Sequence, residues 1–216
     1  MILAPSLLSA DFGYLAKDIA MLEQSNVDWY HLDIMDGTFV PNISYGFPVI
    51  KAVAQKATKH LDTHLMIVDP DKYIPKLAKL GVNSVSVHYE ACPHLHRTIQ
   101  HIKSFGMMAG VAINPHTPIS SLEEILEYCH YINVMCVNPG FGGQNFIESS
   151  LSKIKRLKSM INSSNLNTLI QADGGVTLNN HIQLKEAGAD ILVSGNAIFG
   201  AEDPIKAIEV LGTSIL

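Results

Sequence analysis

The stretch Y-H-L-D-I-M-D-G-T-F-V-P-N at 30–42 sets His31 and Asp33 two positions apart in an otherwise apolar run. Side chains alternate along a strand, so both would stand on one face. An imidazole and a carboxylate on the same buried face need a shared partner, and a divalent cation accepts both. Two further stretches offer matching groups: His64 in H-L-M-I and Asp173 in Q-A-D-G-G-V. Asp173 precedes Gly174, Gly175 and Thr177, so a turn or helix cap competes with ligation there. Without a cation, two buried carboxylates would cost several kcal/mol in desolvation. Zinc, iron, manganese and cobalt all tolerate a two-imidazole, two-carboxylate set. Asp36-Gly37, directly after the pair, suit the turn of the following loop.

A second kind of chemistry lies in three glycine-rich stretches, N-P-G-F-G-G-Q (138–144), D-G-G-V (173–176) and S-G-N-A-I-F-G (194–200). Glycines let backbone N–H groups close around an anion, and a phosphate is the usual guest. One such loop would be weak evidence, because glycines also make ordinary turns. Three on one rim favour a phosphate site.

The elements that must position these groups read as alternating strands and helices. Strands are expected near Ile2–Ser6, Asp28–Asp33, Leu61–Met66, Ser84–His88, Ala109–Asn114, Ile132–Val137, Thr168–Asp173 and Asp190–Ser194. A loose repeat supports them: S-N-V-D-W-Y-H-L-D, L-G-V-N-S-V-S-V-H and A-G-A-D-I-L-V-S-G share one plan. Asn26, Gly81 and Gly188 suit the left-handed position that ends a helix before each strand. Helical spacing places Ile74, Leu77 and Leu80 on one face, with Pro70 and Pro75 near the start. S-S-L-E-E-I-L-E-Y-C reads as a helix capped by Ser120 or Ser121, with Leu122, Ile125 and Leu126 inward. Eight strand–helix units over 1–216 predict a single closed (β/α)8 barrel domain of the TIM type. A doubly wound open sheet is the rival, but no G-x-G-x-x-G opens a helix after a strand. Barrel chemistry gathers at the C-terminal strand ends. That rule selects Ser6, His31, Asp33, His64, His88, Asn114, Asn138 and Asp173. No Lys or Arg falls in these strands, so no Schiff-base lysine is placed in the barrel.

The 216 residues carry a net charge of −5 and only 15 Lys and Arg, which excludes a basic nucleic-acid footprint. No apolar run reaches membrane-spanning length. The start, M-I-L-A-P-S-L-L-S-A-D-F, lacks a basic region and is broken by Pro5 and Ser6, unlike a signal peptide. Cys92, Cys129 and Cys136 show no C-x-x-C spacing and read as buried thiols of a cytoplasmic protein.

From A-P-S-L-L-S-A-D-F to S-G-N-A-I-F-G, about nine-tenths of its length, the chain closely resembles the ribulose-phosphate 3-epimerase family. The motifs are H-L-D-I-M-D-G-T-F-V-P-N, H-L-M-I, N-P-G-F-G-G-Q-N-F and Q-A-D-G-G-V. The resemblance implies a (β/α)8 barrel of the ribulose-phosphate-binding type. It would interconvert D-ribulose 5-phosphate and D-xylulose 5-phosphate at C3 through an enediolate, in the pentose phosphate pathway. It implies one divalent metal ion per subunit on His31, Asp33, His64 and Asp173, with Asp33 and Asp173 also the catalytic proton-transferring pair. Substrate contacts are implied for Ser6, His64, Gly140, Phe141, Gly142, Gly143, Gly174, Gly175, Gly195 and Asn196, and a homo-oligomer by family habit. Met35, Met66 and Met135 match family methionines beneath the reacting carbons, or are soft core filling. Asn196, Cys136 and Thr63 depart from common family residues, and none of the three is a ligand. The nearest alternative is a 3-epimerase of another ketose phosphate, such as D-allulose 6-phosphate. A decarboxylase would want a lysine beside the strand-two carboxylates, which L-D-I-M-D-G lacks, and retention of both aspartates together with all the glycine loops counts against a non-enzymatic metal-binding or regulatory barrel.

Overall fold

The computed structural model describes residues 1–213, so the end of the expected 1–216 domain, residues 214–216, lies outside the described residues. Eight parallel strands run β1 (Ile2–Pro5), β2 (Trp29–Met35), β3 (His60–Met66), β4 (Ser84–His88), β5 (Met108–Ile113), β6 (Tyr131–Met135), β7 (Leu169–Asp173) and β8 (Ile191–Ser194). They pair in the order β1-β8-β7-β6-β5-β4-β3-β2, a barrel whose closing seam is β1 against β2. The seam holds by the parallel bridge Ser6↔His31 and by Asp28, whose N–H donates to the Leu3 carbonyl and whose carboxylate accepts from the Leu3 N–H. The eight strands fall where the sequence places them, and β2 continues two residues past Asp33.

Helices pack outside the barrel: α1 (Leu15–Glu23), α2 (Phe47–Ala54), α3 (Ile74–Lys79), α4 (Leu95–Ser104), α5 (Ser149–Ser163), α6 (His181–Ala187), α7 (Asn196–Phe199) and α8 (Pro204–Gly212). The outward strand residues, among them Leu32, Val85, Val111, Ile132 and Ile170, join the inward helix faces in one large core. Burying that apolar area is the main drive to close the barrel. Ile74 and Leu77 are buried in α3 as the spacing predicts, Leu80 only partly, and Pro70 and Pro75 sit at the first turns of their helices.

Two expectations are corrected. Residues 119–128 are not an α-helix but two 3₁₀ turns, Ile119–Leu122 and Leu126–Tyr128, the first capped by Pro118 and not by Ser120 or Ser121. Glu123 and Glu127 would face each other at i,i+4 in an α-helix, a destabilising like-charge pair. The 3₁₀ rise also lets ten residues span more of the gap to β6. The inward faces hold, since Leu122, Ile125 and Leu126 are buried. Asn26 is not left-handed, unlike Gly81 at φ 82° and Gly188 at φ 108°. The Ser25 hydroxyl donates to the Leu22 carbonyl at 2.7 Å, capping α1 without a left-handed residue.

Candidate active site

Register decides which side chains meet. On β2 and β3, His31 lies beside Asp62 and Asp33 beside His64; on β6 and β7, Asn133 lies beside Gln171 and Met135 beside Asp173. All of these face into the barrel. His31 Nε2 stands 3.3 Å from Asp33 Oδ1 and 3.4 Å from Asp173 Oδ2; His64 Nδ1 stands 3.3 Å and 3.2 Å from the same two oxygens. The four ligating atoms lie within 4.8 Å of one another. Asp173 faces this cluster, and the competing turn role falls to Gly174 and Gly175 after it.

The donor set fits a divalent ion on three observations. His31 Nε2 and His64 Nδ1 are buried with no hydrogen-bond partner among the described residues. The four His–Asp contacts among the ligand atoms measure only 3.2–3.4 Å, close enough for all four groups to reach one ion. Two carboxylates also match a dication in charge. The same four groups also shift one another's protonation. Burial pushes the His31 pKa down, but Asp33 and Asp173 outweigh it and hold the imidazole well above its usual range. Burial also raises both carboxyls, yet His31 and His64 hold Asp33 down at about 2 and Asp173 well below the usual carboxylate range. The four groups titrate as one unit.

Each ligand is held from behind. Asp62, fully buried, accepts four hydrogen bonds: from His31 Nδ1 and Gln171 Nε2 on Oδ2, both at 2.8 Å, and from Ser84 and Tyr131 hydroxyls on Oδ1 at 2.6 and 2.7 Å. His31 is thereby fixed to present Nε2. Asn133 Nδ2 donates to Asp173 Oδ2 at 3.1 Å, and Ser6 Oγ donates to Asp33 Oδ2 at 2.6 Å. Beyond the Ser6↔His31 bridge β1 ends, and the next loop takes over its pairing. The Asp33 N–H donates to Tyr45 Oη, and Ser44 Oγ accepts from the Met35 N–H and donates to the Asp33 carbonyl.

Above the cluster opens a cavity of about 270 Å³, with Met35, Met66 and Met135 in its lining beside Asp33 and Asp173. Its rim is the glycine loops. Gly140, Phe141, Gly142 and Gly143 line one side, Gly174 and Gly175 another, and Gly195 and Asn196 a third, with Ser6 between them and no Lys or Arg in the wall. Gln144 Nε2 donates to the Asn138 and Phe141 carbonyls at 2.6 and 2.8 Å and so closes the first loop on itself. Asn42 Nδ2 donates to the Gly140 carbonyl, tying that loop to the one after β2. Asp36 accepts from the Thr38, Phe39 and Val68 N–H groups, which makes it the loop-shaping residue the sequence suggests.

Several placements differ from expectation or add to it. His64 has no exposed surface and stands behind the carboxylates, not in the cavity wall. Asn114 and Asn138, selected as strand-end residues, do not join the cluster: the Asn114 N–H goes to Glu90, and Asn138 is exposed on the lip. Ser9 went unnoticed, although it lines the cavity, and a side-chain carbon added to Gly195 would sit 2.3 Å from its hydroxyl. Asp62 was missed too, and its two-residue spacing from His64 in H-L-D-T-H-L was the available signal.

The model of the ribulose-phosphate 3 epimerase family matches residues 2–199. This chain belongs to that family. A ribulose-phosphate 3-epimerase of Bacillus subtilis (strain 168) is 49% identical over 97% of this chain and 98% of its own length. The chloroplastic ribulose-5-phosphate-3-epimerase of Arabidopsis thaliana is 46% identical over 99% of this chain and 77% of its own. Among solved structures, KGPDC from Streptococcus mutans superposes with a TM-score of 0.74 at 14% identity, covering 97% of this chain and 94% of that one. Orotidine 5'-phosphate decarboxylase from Pyrococcus horikoshii OT3 gives 0.68 at 15%, with 97% of each chain covered. At those identities the likeness carries the barrel alone. Relative to the decarboxylase rival, the ribulose-phosphate 3-epimerase family fits a cavity wall without lysine.

Proposed function

We propose that the chain, acting as one domain over 1–216, interconverts D-ribulose 5-phosphate and D-xylulose 5-phosphate at C3, with one divalent ion held by His31, Asp33, His64 and Asp173. The observation that carries this is the convergence of those four side chains beneath a cavity rimmed by three glycine loops. When bound, the ion supplies positive charge for the enediolate left when C3 loses its proton.

The chain's own residues divide the remaining work. Each aspartate points one oxygen at the histidines and keeps the other for substrate. Asp33 Oδ1 faces both imidazoles while its Oδ2 accepts from the Ser6 hydroxyl; Asp173 Oδ2 faces them while its Oδ1 takes no hydrogen bond from the described residues. The two carboxylates come from β2 and β7, so they flank the substrate from different sides. One accepts the C3 proton in its ionised form, and the other, protonated, donates to the opposite face. The apolar methionine lining limits water near the reacting carbons. The rim takes the phosphate through backbone N–H groups, which a wall free of basic side chains requires. Asn196 stands across from Gly143, its Nδ2 2.8 Å from where a Cβ on that glycine would sit.

Two finer points belong to the same proposal. Buried Cys92, Cys129 and Cys136 suit a reducing, cytoplasmic setting, and no described helix is long and apolar enough to cross a membrane. Exposed Phe12, Tyr14 and Ile43 on the loops after β1 and β2 support a homo-oligomer.

A coupled assay comparing D-ribulose 5-phosphate, free D-ribulose and D-allulose 6-phosphate tests the reading. The pentulose phosphate should be used best and the free sugar far worse in kcat/KM, because remote binding energy positions C3. Equal use of free D-ribulose refutes the phosphate rim, and preference for the hexulose refutes the substrate assignment.

A further inference from the structure

His64 is the ligand whose orientation the reaction scheme leaves unexplained. It turns Nδ1 toward Asp33 and Asp173, whereas His31 offers Nε2. Its other nitrogen, Nε2, lies 2.9 Å from Nε2 of His88, itself fully buried at the end of β4. His88 Nδ1 lies 3.1 Å from Glu90 Oε2, in the 3₁₀ turn Tyr89–Ala91. Glu90 is anchored in turn: its Oε1 accepts from the Asn114 N–H at 2.9 Å and from the Thr117 hydroxyl. The Phe39 ring packs against His88 with centroids 4.6 Å apart.

Tautomer logic gives this chain of contacts a direction. A contact between two imidazole nitrogens at that distance needs one donor and one acceptor. A carboxylate accepts only, so Glu90 requires the His88 proton on Nδ1. His88 Nε2 is then bare and must accept, which puts the His64 proton on Nε2. The His64 lone pair is left on Nδ1, aimed between Asp33 and Asp173. Reversing any link sets a lone pair against the Glu90 carboxylate or turns an N–H into the ligand cluster.

We infer that His88 and Glu90 are positioning residues that select the His64 tautomer and hold its Nδ1 ready for the ion. They do for His64, through one intervening imidazole, what Asp62 does directly for His31. The inference rests on the metal reading above and assigns neither residue a contact with substrate. Outer partners of this kind typically account for about 10–100-fold in metal affinity.

The test uses the full chain loaded with Zn²⁺ or Co²⁺. Long-range ¹H–¹⁵N spectra of histidine-labelled, zinc-loaded protein should show His64 protonated on Nε2 and His88 on Nδ1. A His88 proton on Nε2 overturns the inference. Chelator competition with Co²⁺ should show His88→Leu weakened by about 10–100-fold, with altered visible absorption from a loosened imidazole. His88→Gln keeps an acceptor toward His64 and a donor toward Glu90, so it should recover most of that loss. An unchanged His88→Leu, or a folded His88→Gln as weak as His88→Leu, overturns it. If His88→Leu does not fold, Glu90→Ala is read the same way, and unchanged Co²⁺ affinity there also overturns it. Wild-type protein that binds neither ion refutes the metal reading itself, an outcome distinct from wild-type binding with insensitive variants.

Discussion

Gly175→Ala separates the loop geometry of the site from its ligands. Gly175 follows the ligand Asp173 by two residues and has φ 65°, where a residue with a Cβ costs roughly 1–2 kcal/mol. An added Cβ would also stand 2.7 Å from Phe146 Cα and 2.8 Å from its N, atoms of the backbone that cannot rotate away. Relief to ordinary contact at 3.4 Å needs a shift of about 0.7 Å, the difference between those two distances. Such overpacking costs typically about 1–3 kcal/mol. The sum is about 2–5 kcal/mol, and at about 2–4 °C per kcal/mol for a chain of this size Tm should fall by about 4–20 °C. Phe146 closes the loop that carries Gly140–Gly143, so its displacement moves the rim against C3. A misplacement of that size should lower kcat/KM on the order of 10–100-fold with the metal still bound, since the ligands sit on strands. Gly81→Ala is the control: φ is 82°, yet nothing lies within 4 Å of its added Cβ, far from the rim. It should lose only the strain, about 2–8 °C in Tm, with unchanged kcat/KM. Calorimetry and steady-state kinetics on both variants decide the matter. A Gly175→Ala protein no less stable than Gly81→Ala, with native kcat/KM, refutes the close-packed account of the rim.

Stripping the metal and restoring it at about 100 times its Kd should raise Tm by about 5–11 °C, from about 2.7 kcal/mol of linkage. His64→Ala should fold yet show neither the shift nor activity, and full activity in demonstrably metal-free protein excludes the ion from the reaction. Asp33→Asn and Asp173→Asn should each abolish epimerisation, because an amide cannot accept the C3 proton. In D₂O, wild-type product should carry deuterium at C3, and unlabelled product by mass spectrometry contradicts the two-base assignment. For Glu90, burial raises the carboxyl pKa, but hydrogen bonds from His88, Thr117 and the Asn114 N–H prevail and hold it at about 2. Its folded pKa lies below its unfolded one, so the stability it contributes is complete above about pH 4.5 and is lost as pH falls toward 2. Glu90→Gln should therefore flatten the acid limb of Tm against pH between those values, and an unaltered limb is evidence against the carboxylate's anchoring role.

The strands were legible because each is a short apolar run bounded by turn residues, with partners in the same β-then-α plan. The four ligands were legible because a barrel puts its polar residues at one end, and His31, Asp33, His64 and Asp173 are ligand types at that end. The helix expected at 120–129 failed for a local reason, the glutamates spaced four apart. Asp62, Asn133 and Glu90 escaped for a different one. A period-2 pattern says that Asp62 and His64 share a face of β3, but not that Asp62 meets His31 across β2 and Tyr131 from β6. Those meetings depend on register and on the stagger accumulated around the closed barrel, which no single segment encodes. Buried polar groups still constrain the answer, because a carboxylate fully inside a barrel must find donors. Asp62 in H-L-D-T-H-L implied four donor sites to fill, and Ser84, Tyr131, Gln171 and His31 are donor types at inward strand positions. Counting donors against buried acceptors over the inward faces narrows Asp62's partners to such types, and the β2–β3 register, which sets His31 beside Asp62, then selects His31 and with it the nitrogen that His31 presents.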